Sequence, residues 1–155
     1  MLVGTLCKKD VDLIESRQTV HEAASRMLQR GVGSLVIINA AREPVGIVTD
    51  RDLVARVLAS GKNPLETRIA DVMTSNPEVV REDADLADAL GRMRDGPYRR
   101  PPVVNQTGKL AGIVTLDDVQ MRLMETIKDS FRTVCGHLDQ VRSVLVGQVR
   151  STDSR

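Results

Sequence analysis

Aromatic side chains are almost absent, with one Tyr, one Phe and no Trp in 155 residues. A surface for stacking nucleic-acid bases needs several such rings, and a net charge of +1 offers no electrostatic footprint for a phosphate backbone. Nucleic acid is therefore not an expected partner. Cysteine is scarce as well: Cys7 and Cys135 lie far apart and form no C-x-x-C, so neither a disulfide framework nor a zinc site is expected. His21 and His137 each lack a Cys or second His at ligand spacing, which argues against any metal site. No apolar run approaches the roughly 18 residues that cross a bilayer, and Met1 leads into patterned sequence without the regions of a signal peptide. A cytoplasmic protein with no membrane partner is expected. Also missing are a P-loop, a nucleophile elbow and an H-E-x-x-H pair. Gly31-x-Gly33 is no dinucleotide fingerprint, because Val36 stands where the third glycine belongs. The chain is not expected to be an enzyme.

What is present is 41% hydrophobic and 28% charged residues, the balance of a folded chain. Its organising stretch is Gly46-Ile47-Val48-Thr49-Asp50-Arg51-Asp52. Ahead of it Ser34-Leu35-Val36-Ile37-Ile38 is a short, β-branched run suited to a buried strand. Turn residues from Asn39 to Pro44 follow, then a second apolar run, Val45 to Val48. A helix can start at Thr49: Thr is a good N-cap, Asp52 lies three residues on, and Leu53, Val54, Val57 and Leu58 follow at helical spacing. The stretch reads as strand, tight corner and helix N-terminus, where unpaired N–H groups and the helix dipole attract anions. A lone Thr-x-x-Asp is most simply a helix start, but this one recurs. Gly112-Ile113-Val114-Thr115-Leu116-Asp117-Asp118 lies 66 residues later (112 − 46), and the same offset matches Arg26 with Arg92, Met27 with Met93, Asn39 with Asn105 and Arg56 with Arg122. No gap is needed from about residue 3 to residue 58. The chain contains an internal duplication.

Two tandem units carrying G-h-x-T-x-x-D after a strand resemble the CBS-domain pair. Tyr98-Arg99-Arg100-Pro101-Pro102-Val103-Val104 looks like that family's h-R-R-x-P-V-V strand, and Val32-Gly33-Ser34-Leu35-Val36 like its variant without arginines. Asp71-Val72-Met73-Thr74 resembles the family's unit-opening segment, with Thr5-Leu6-Cys7-Lys8 as a degraded copy. The resemblance implies an α/β (α+β) fold of two β-α-β-β-α units, packed by their sheets about a pseudo-two-fold axis, with clefts for adenine nucleotides between them. Residues 1–66 would form the first unit, 67–123 the second, and 124–155 a C-terminal amphipathic helix and tail.

Within the first unit, Val11 to Ile14 read as a short strand, and Thr19-Val20-His21-Glu22 as a capping box. Val20, Ala23, Ala24, Met27 and Leu28 would form the buried stripe of the helix it opens. The second unit repeats the order, with a strand near Val79 and Val80, a helix from about Asp85 to Asp95 capped by Asp83 or Asp85, a Gly96-Pro97 break, and strands at Val103 and at Leu110 to Val114. Beyond it Met124, Ile127, Phe131, Val134, Leu138, Val141 and Leu145 alternate spacings of three and four, an a/d pattern over about three heptads. A stripe this long is expected to be a subunit interface; the alternative is one long helix folded onto its own pair.

The resemblance carries site roles to matching positions. Thr49 and Thr115 would bind phosphate, Asp52 and Asp118 ribose hydroxyls, and Arg99 and Arg100 lie where the family can reach nucleotide phosphates, a task guanidinium forks suit. Successive strand residues face opposite sides, so one arginine of the two should enter a given cleft. With Gly33 and Ser34 in the equivalent place of the first unit, tighter binding is expected at Thr115 and Asp118. Asp50 and Arg51 are read as helix-start electrostatics. The expected function is that of a regulatory CBS pair. It would bind adenosine-containing ligands (AMP, ADP, ATP or S-adenosylmethionine) and signal to a protein target through conformational or assembly change. It would be a homodimer and would require no cofactor beyond the adenine nucleotide as regulatory ligand. The alternative is a structural dimerisation or adaptor module that binds no ligand.

Overall fold

The computed structural model describes residues 1–95 and 99–152, with only the backbone described for residue 95 and for 139–152. The chain divides into two compact bodies, Met1–Asp118 and Val119–Arg155.

The first body holds both repeat units. Helix α1 (Val20–Arg30) opens on the Thr19/Glu22 capping box: the Thr19 N–H donates to the Glu22 carboxylate at 2.7 Å, and the Glu22 N–H to the Thr19 hydroxyl at 3.3 Å. It closes on Gly31 in the left-handed region. Strands β1 (Ser34–Ile38) and β2 (Pro44–Thr49) form an antiparallel hairpin, followed by α2 (Asp50–Leu53), which runs on as a π-helical turn, Val54–Leu58. Strand β3 (Thr74–Ser75) pairs with β2 to complete a three-stranded sheet. The second sheet contains β4 (Val80–Arg81), parallel to β5 (Pro102–Val104), and β6 (Leu110–Ile113), antiparallel to β5. Helix α3 (Leu86–Asp95) lies between β4 and β5 in the chain, and the Asp85 carboxylate caps it through the Ala87 N–H at 2.8 Å. Alternation along β1 and β2 sorts the core into two faces. Leu35, Ile37 and Val48 pack with Val20, Ala23 and Met27 of α1, whereas Val36 and Ile47 meet Ile113 of the second sheet.

Each sheet is completed by the other unit's opening segment. The helical turns Val3–Thr5 and Ile69–Asp71 are repeat equivalents. The Val3 and Gly4 N–H groups donate to the carbonyls of Ala84 and Glu82 in the second unit (3.0 and 2.8 Å), and those of Ile69 and Ala70 to Gln18 and Ser16 in the first (2.9 and 2.9 Å). Lys8 then bridges Ile113 as Thr74 pairs with Ile47. Ile69 and Val72 are consequently buried in the core of the first unit. Thr5-Leu6-Cys7-Lys8 therefore keeps the backbone bonds of its counterpart, because those bonds need no particular side chain. The same close passage explains the glycine that opens each corner motif. A Cβ at Gly46 would come within 2.5 Å of the Met73 sulfur, and one at Gly112 within 2.7 Å of the Cys7 sulfur and 2.8 Å of the Lys8 carbonyl.

Some expectations need correction. Val11–Ile14 forms a single parallel bridge, Leu13 to Val36, rather than a strand. Ala24 and Leu28, expected in the buried stripe of α1, are exposed, as are Val54 and Leu58 of the second helix. Helix α4 (Leu116–Thr152) makes up the second body from Val119 onward. Met124, Ile127, Phe131, Val134 and Leu138 are all more than half exposed and Cys135 is exposed, while Val141 and Leu145 have side chains outside the described residues. Among the described residues no helix is long and apolar enough to cross a membrane.

Candidate functional site

At the end of β2, Thr49 is extended and its hydroxyl oxygen accepts from the Asp52 N–H at 3.2 Å. In return Asp52 Oδ2 accepts from the Thr49 N–H and hydroxyl, both at 2.9 Å. The second corner reproduces the box: Asp118 Oδ2 accepts from the Thr115 N–H at 3.2 Å and hydroxyl at 2.6 Å, and the Asp118 N–H reaches the Thr115 hydroxyl at 3.1 Å. Each aspartate thus spends one oxygen on its cap and keeps Oδ1 for another partner. Both side chains are mostly buried, at 17% and 18% exposure.

The partners of Oδ1 differ. Asp52 takes Arg56, one turn along the same helix, at 3.2 Å, and the same guanidinium donates to the Val72 carbonyl at 2.7 Å. Asp118 takes Lys8, from the opening segment of the other unit, at 2.9 Å. Burial opposes the charge on Asp118, but Lys8 and the Thr115 donors outweigh it and hold the carboxyl below its ordinary pKa.

A cleft of about 210 Å³ surrounds this second corner. Thr115 and Asp118 enter it from the second unit and Lys8, Gly33 and Ser34 from the first, with Arg100 beside them. Gly33 makes room for that guanidinium, since a Cβ there would lie 2.7 Å from Arg100 Nη1. The structure therefore brings Arg100, Thr115 and Asp118 together. Arg99 is exposed and is not among the residues lining this cleft. Its carbonyl accepts from the Leu116 N–H at 3.1 Å, just as the Gly33 carbonyl accepts from the Asp50 N–H at 3.1 Å. Gly33 and Ser34 adjoin the corner of their own unit, through the Asp50–Gly33 bond and the Ser34–Thr49 pairing, and also line the cleft at the corner of the other. By the 66-residue offset, Arg99 is the counterpart of Gly33. Tyr98 and the Gly96-Pro97 break lie outside the described residues.

Sequence reading missed Lys8. Its only signal was the offset that aligns it with Thr74, which reveals its partner only once the exchange of opening segments is known. A wider depression of about 730 Å³ lies away from both corners, bordered by Arg17, Glu22 and Arg26. Its charged groups are already engaged: Arg17 with Glu15, Glu22 with Thr19 and Gln18, and Arg26 with the Leu13 carbonyl. Among the described residues no cluster of His, Cys, Asp and Glu is suited to hold a metal ion.

Comparison with known proteins agrees with this architecture. The chain is 40% identical over 133 residues to an uncharacterized protein of Methanopyrus kandleri, covering 84% of this chain and 68% of that protein. Among solved structures, CBSX2 of Arabidopsis thaliana in complex with AMP superposes with a TM-score of 0.70 at 30% identity, covering 82% of this chain and 98% of that one. The CBS domain pair of protein MJ0100, in complex with 5′-methylthioadenosine and S-adenosyl-L-methionine, gives a TM-score of 0.71 at 27% identity, covering 79% and 99%. These relatives indicate no catalytic family. The CBS domain pattern matches residues 3–59 and again 69–125, and the chain belongs to the CBS domain family as a tandem pair.

Proposed function

We propose that the protein is a regulatory CBS pair that binds an adenosine-containing ligand, with Thr115 and Asp118 as principal contacts in one cleft and Thr49 and Asp52 in its counterpart. The observation that carries this reading is the cleft at the second corner, where a mostly buried carboxylate, a helix N-terminus and a guanidinium of the second unit meet Lys8, Gly33 and Ser34 of the first. A carboxylate accepts from vicinal sugar hydroxyls, and helix N–H groups with Arg100 favour a polar 5′ group. Structural neighbours bound to AMP, 5′-methylthioadenosine and S-adenosyl-L-methionine support the ligand class. Because Lys8 and Gly33 reach the cleft of the other unit, occupancy would bear on how the units pack, which a protein target could read. Calorimetric titration with AMP, ADP, ATP and S-adenosylmethionine tests the reading. Saturable heat that Asp118→Ala removes supports it, and no heat from any of them at millimolar concentration overturns it.

A second reading is assembly without ligand, favoured by the fact that Oδ1 of each aspartate already has a cationic partner. Association with a second copy belongs to both readings. The row Met124, Ile127, Phe131, Val134 and Leu138 is exposed along α4 at heptad spacing, and such a seam is self-complementary in a two-fold dimer. Light scattering at micromolar concentration should show a dimer, weakened by truncation after Leu123. A monomeric full-length chain would exclude that role for the helix.

A further inference from the structure

The cleft at the second corner is acidic. Asp10, Asp12, Asp117 and Asp118 line it, against Lys8 and Arg100. Arg30 engages Asp12 at 2.7 Å and Asp10 at 2.9 Å from outside the lining, and Lys8 is held by Asp118. Four carboxylates thus face three cations, and Asp117 lies exposed at the rim. The repeat counterparts reverse this balance: Asp10 becomes Asn76, Asp117 becomes Arg51 and Gly33 becomes Arg99. The cleft is also small, at about 210 Å³, compared with roughly 300–1,000 Å³ for common ligand pockets.

We propose that the cleft of Thr115 and Asp118 selects an adenosyl ligand whose 5′ substituent carries no net negative charge, a thioether or a sulfonium, and rejects nucleoside di- and triphosphates. The proposal rests on the reading that this cleft binds adenosyl compounds at all. A polyphosphate would bring several negative charges against an acidic rim in a partly desolvated site, where like charges repel most strongly. Lys8 already spends its charge on Asp118 Oδ1, so it offers a phosphate chain little attraction unless that pair opens. A cationic sulfonium instead adds a counter-charge to Asp117 at the exposed rim. A thioether adds no charge and keeps the Lys8–Asp118 pair available to rearrange around the sugar.

Calorimetry on the full chain, with 5′-methylthioadenosine, S-adenosylmethionine, AMP and ATP, tests this. Heat abolished by Asp118→Ala is assigned to this cleft, and heat abolished by Asp52→Ala to the other. The expected result is Asp118-dependent binding of the thioether or sulfonium ligand at least about ten-fold tighter than that of ATP. Raising the salt concentration should narrow that gap by screening. A second variant keeps the test independent of the cap: Asp117→Lys, at an exposed position, should tighten AMP about five-fold and leave 5′-methylthioadenosine unchanged. ATP binding through Asp118 as tightly as the thioether overturns the selectivity while leaving the general reading intact. So does adenosyl binding that depends on Asp52 alone. No binding of any of the four overturns both.

Discussion

The two Thr-x-x-Asp corners are made of the same hydrogen bonds, yet they draw their counter-ions from different places. Asp52 is answered by Arg56 on its own helix, a contact that needs only one turn of regular structure. Asp118 is answered by Lys8, more than one hundred positions earlier in the chain, through an opening segment that pairs with Ile113. The first corner would assemble wherever its helix forms. The second exists in full only when the two units have exchanged their opening segments. Duplication has thus left one locally built corner and one that reports on the docking of the units.

The largest effect that tests this comparison is on stability. Val3 and Ile69 are equivalent, each fully buried at 0% exposure, and each inserts into the opposite unit. Ile69→Ala should cost about 3 kcal/mol and Val3→Ala about 2 kcal/mol. For a chain of this size, each kcal/mol lowers Tm by roughly 2–4 °C. A single cooperative transition should persist in both variants, since neither unit closes its core alone. If Val3→Ala were silent while Ile69→Ala melted the chain, the exchange would be one-sided and the symmetry of the straps would fail.

That exchange marks where sequence legibility ended. Both hairpins, the capping boxes at Thr19, Thr49 and Thr115, and a cap at Asp83 or Asp85 were readable because each is set within a few residues, and the 66-residue offset because it recurs without a gap. The opening segment of the first unit looked degraded because its side chains differ from Asp71-Val72-Met73-Thr74, although its contacts run through backbone groups. Ala24 and Leu28 misled in the opposite direction: apolar spacing marks a helix face but does not say how much of that face a sheet can cover. Arg100 was expected beside Thr115 and Asp118 and lines their cleft, but that Gly33 and Ser34 line it too could not be read locally, because their approach to the other unit's corner is a tertiary fact.

A middle-sized effect separates the two counter-ions. Lys8 is 64% exposed, so Lys8→Met should change stability by less than about 1 kcal/mol. It frees Asp118 Oδ1, and a neutral adenosyl ligand should then bind about three-fold tighter while AMP weakens. Arg56→Met should do the reverse. It removes donors to Val72 and Thr74 that tie α2 to the strap, at a cost of about 1–2 kcal/mol, and leaves the Asp118 cleft untouched. The pH dependence sharpens the contrast. Because the Asp118 pKa is lowered on folding, its contribution is present above the unfolded value and disappears as pH falls through the depressed one. Lys8→Met should move that loss to higher pH, which acid titration followed by circular dichroism would detect. Equal ligand responses to the two substitutions would remove the distinction between a local and a reporting corner.

The smallest effect concerns the hairpin turns, where the repeats place different residues in a shared geometry. Arg42 and Gly108 are equivalents, with φ of 66° and 80°. Their N–H groups close the same turn, Arg42 onto the Asn39 carbonyl at 2.9 Å and Gly108 onto the Asn105 carbonyl at 3.1 Å. A side chain in the left-handed region crowds its own carbonyl, whereas glycine enters freely. Space is not the issue at Gly108, since a Cβ there would meet nothing nearer than Glu43 Oε1 at 3.9 Å. Gly108→Ala should therefore cost about 1 kcal/mol from backbone strain alone. Arg42→Gly should gain about 0.5 kcal/mol, less than the mirror loss because glycine also frees the unfolded chain. Urea denaturation midpoints resolve both changes if the slope is constant. Should Arg42→Gly destabilise instead, the Arg42 side chain would hold a contact worth more than its strain.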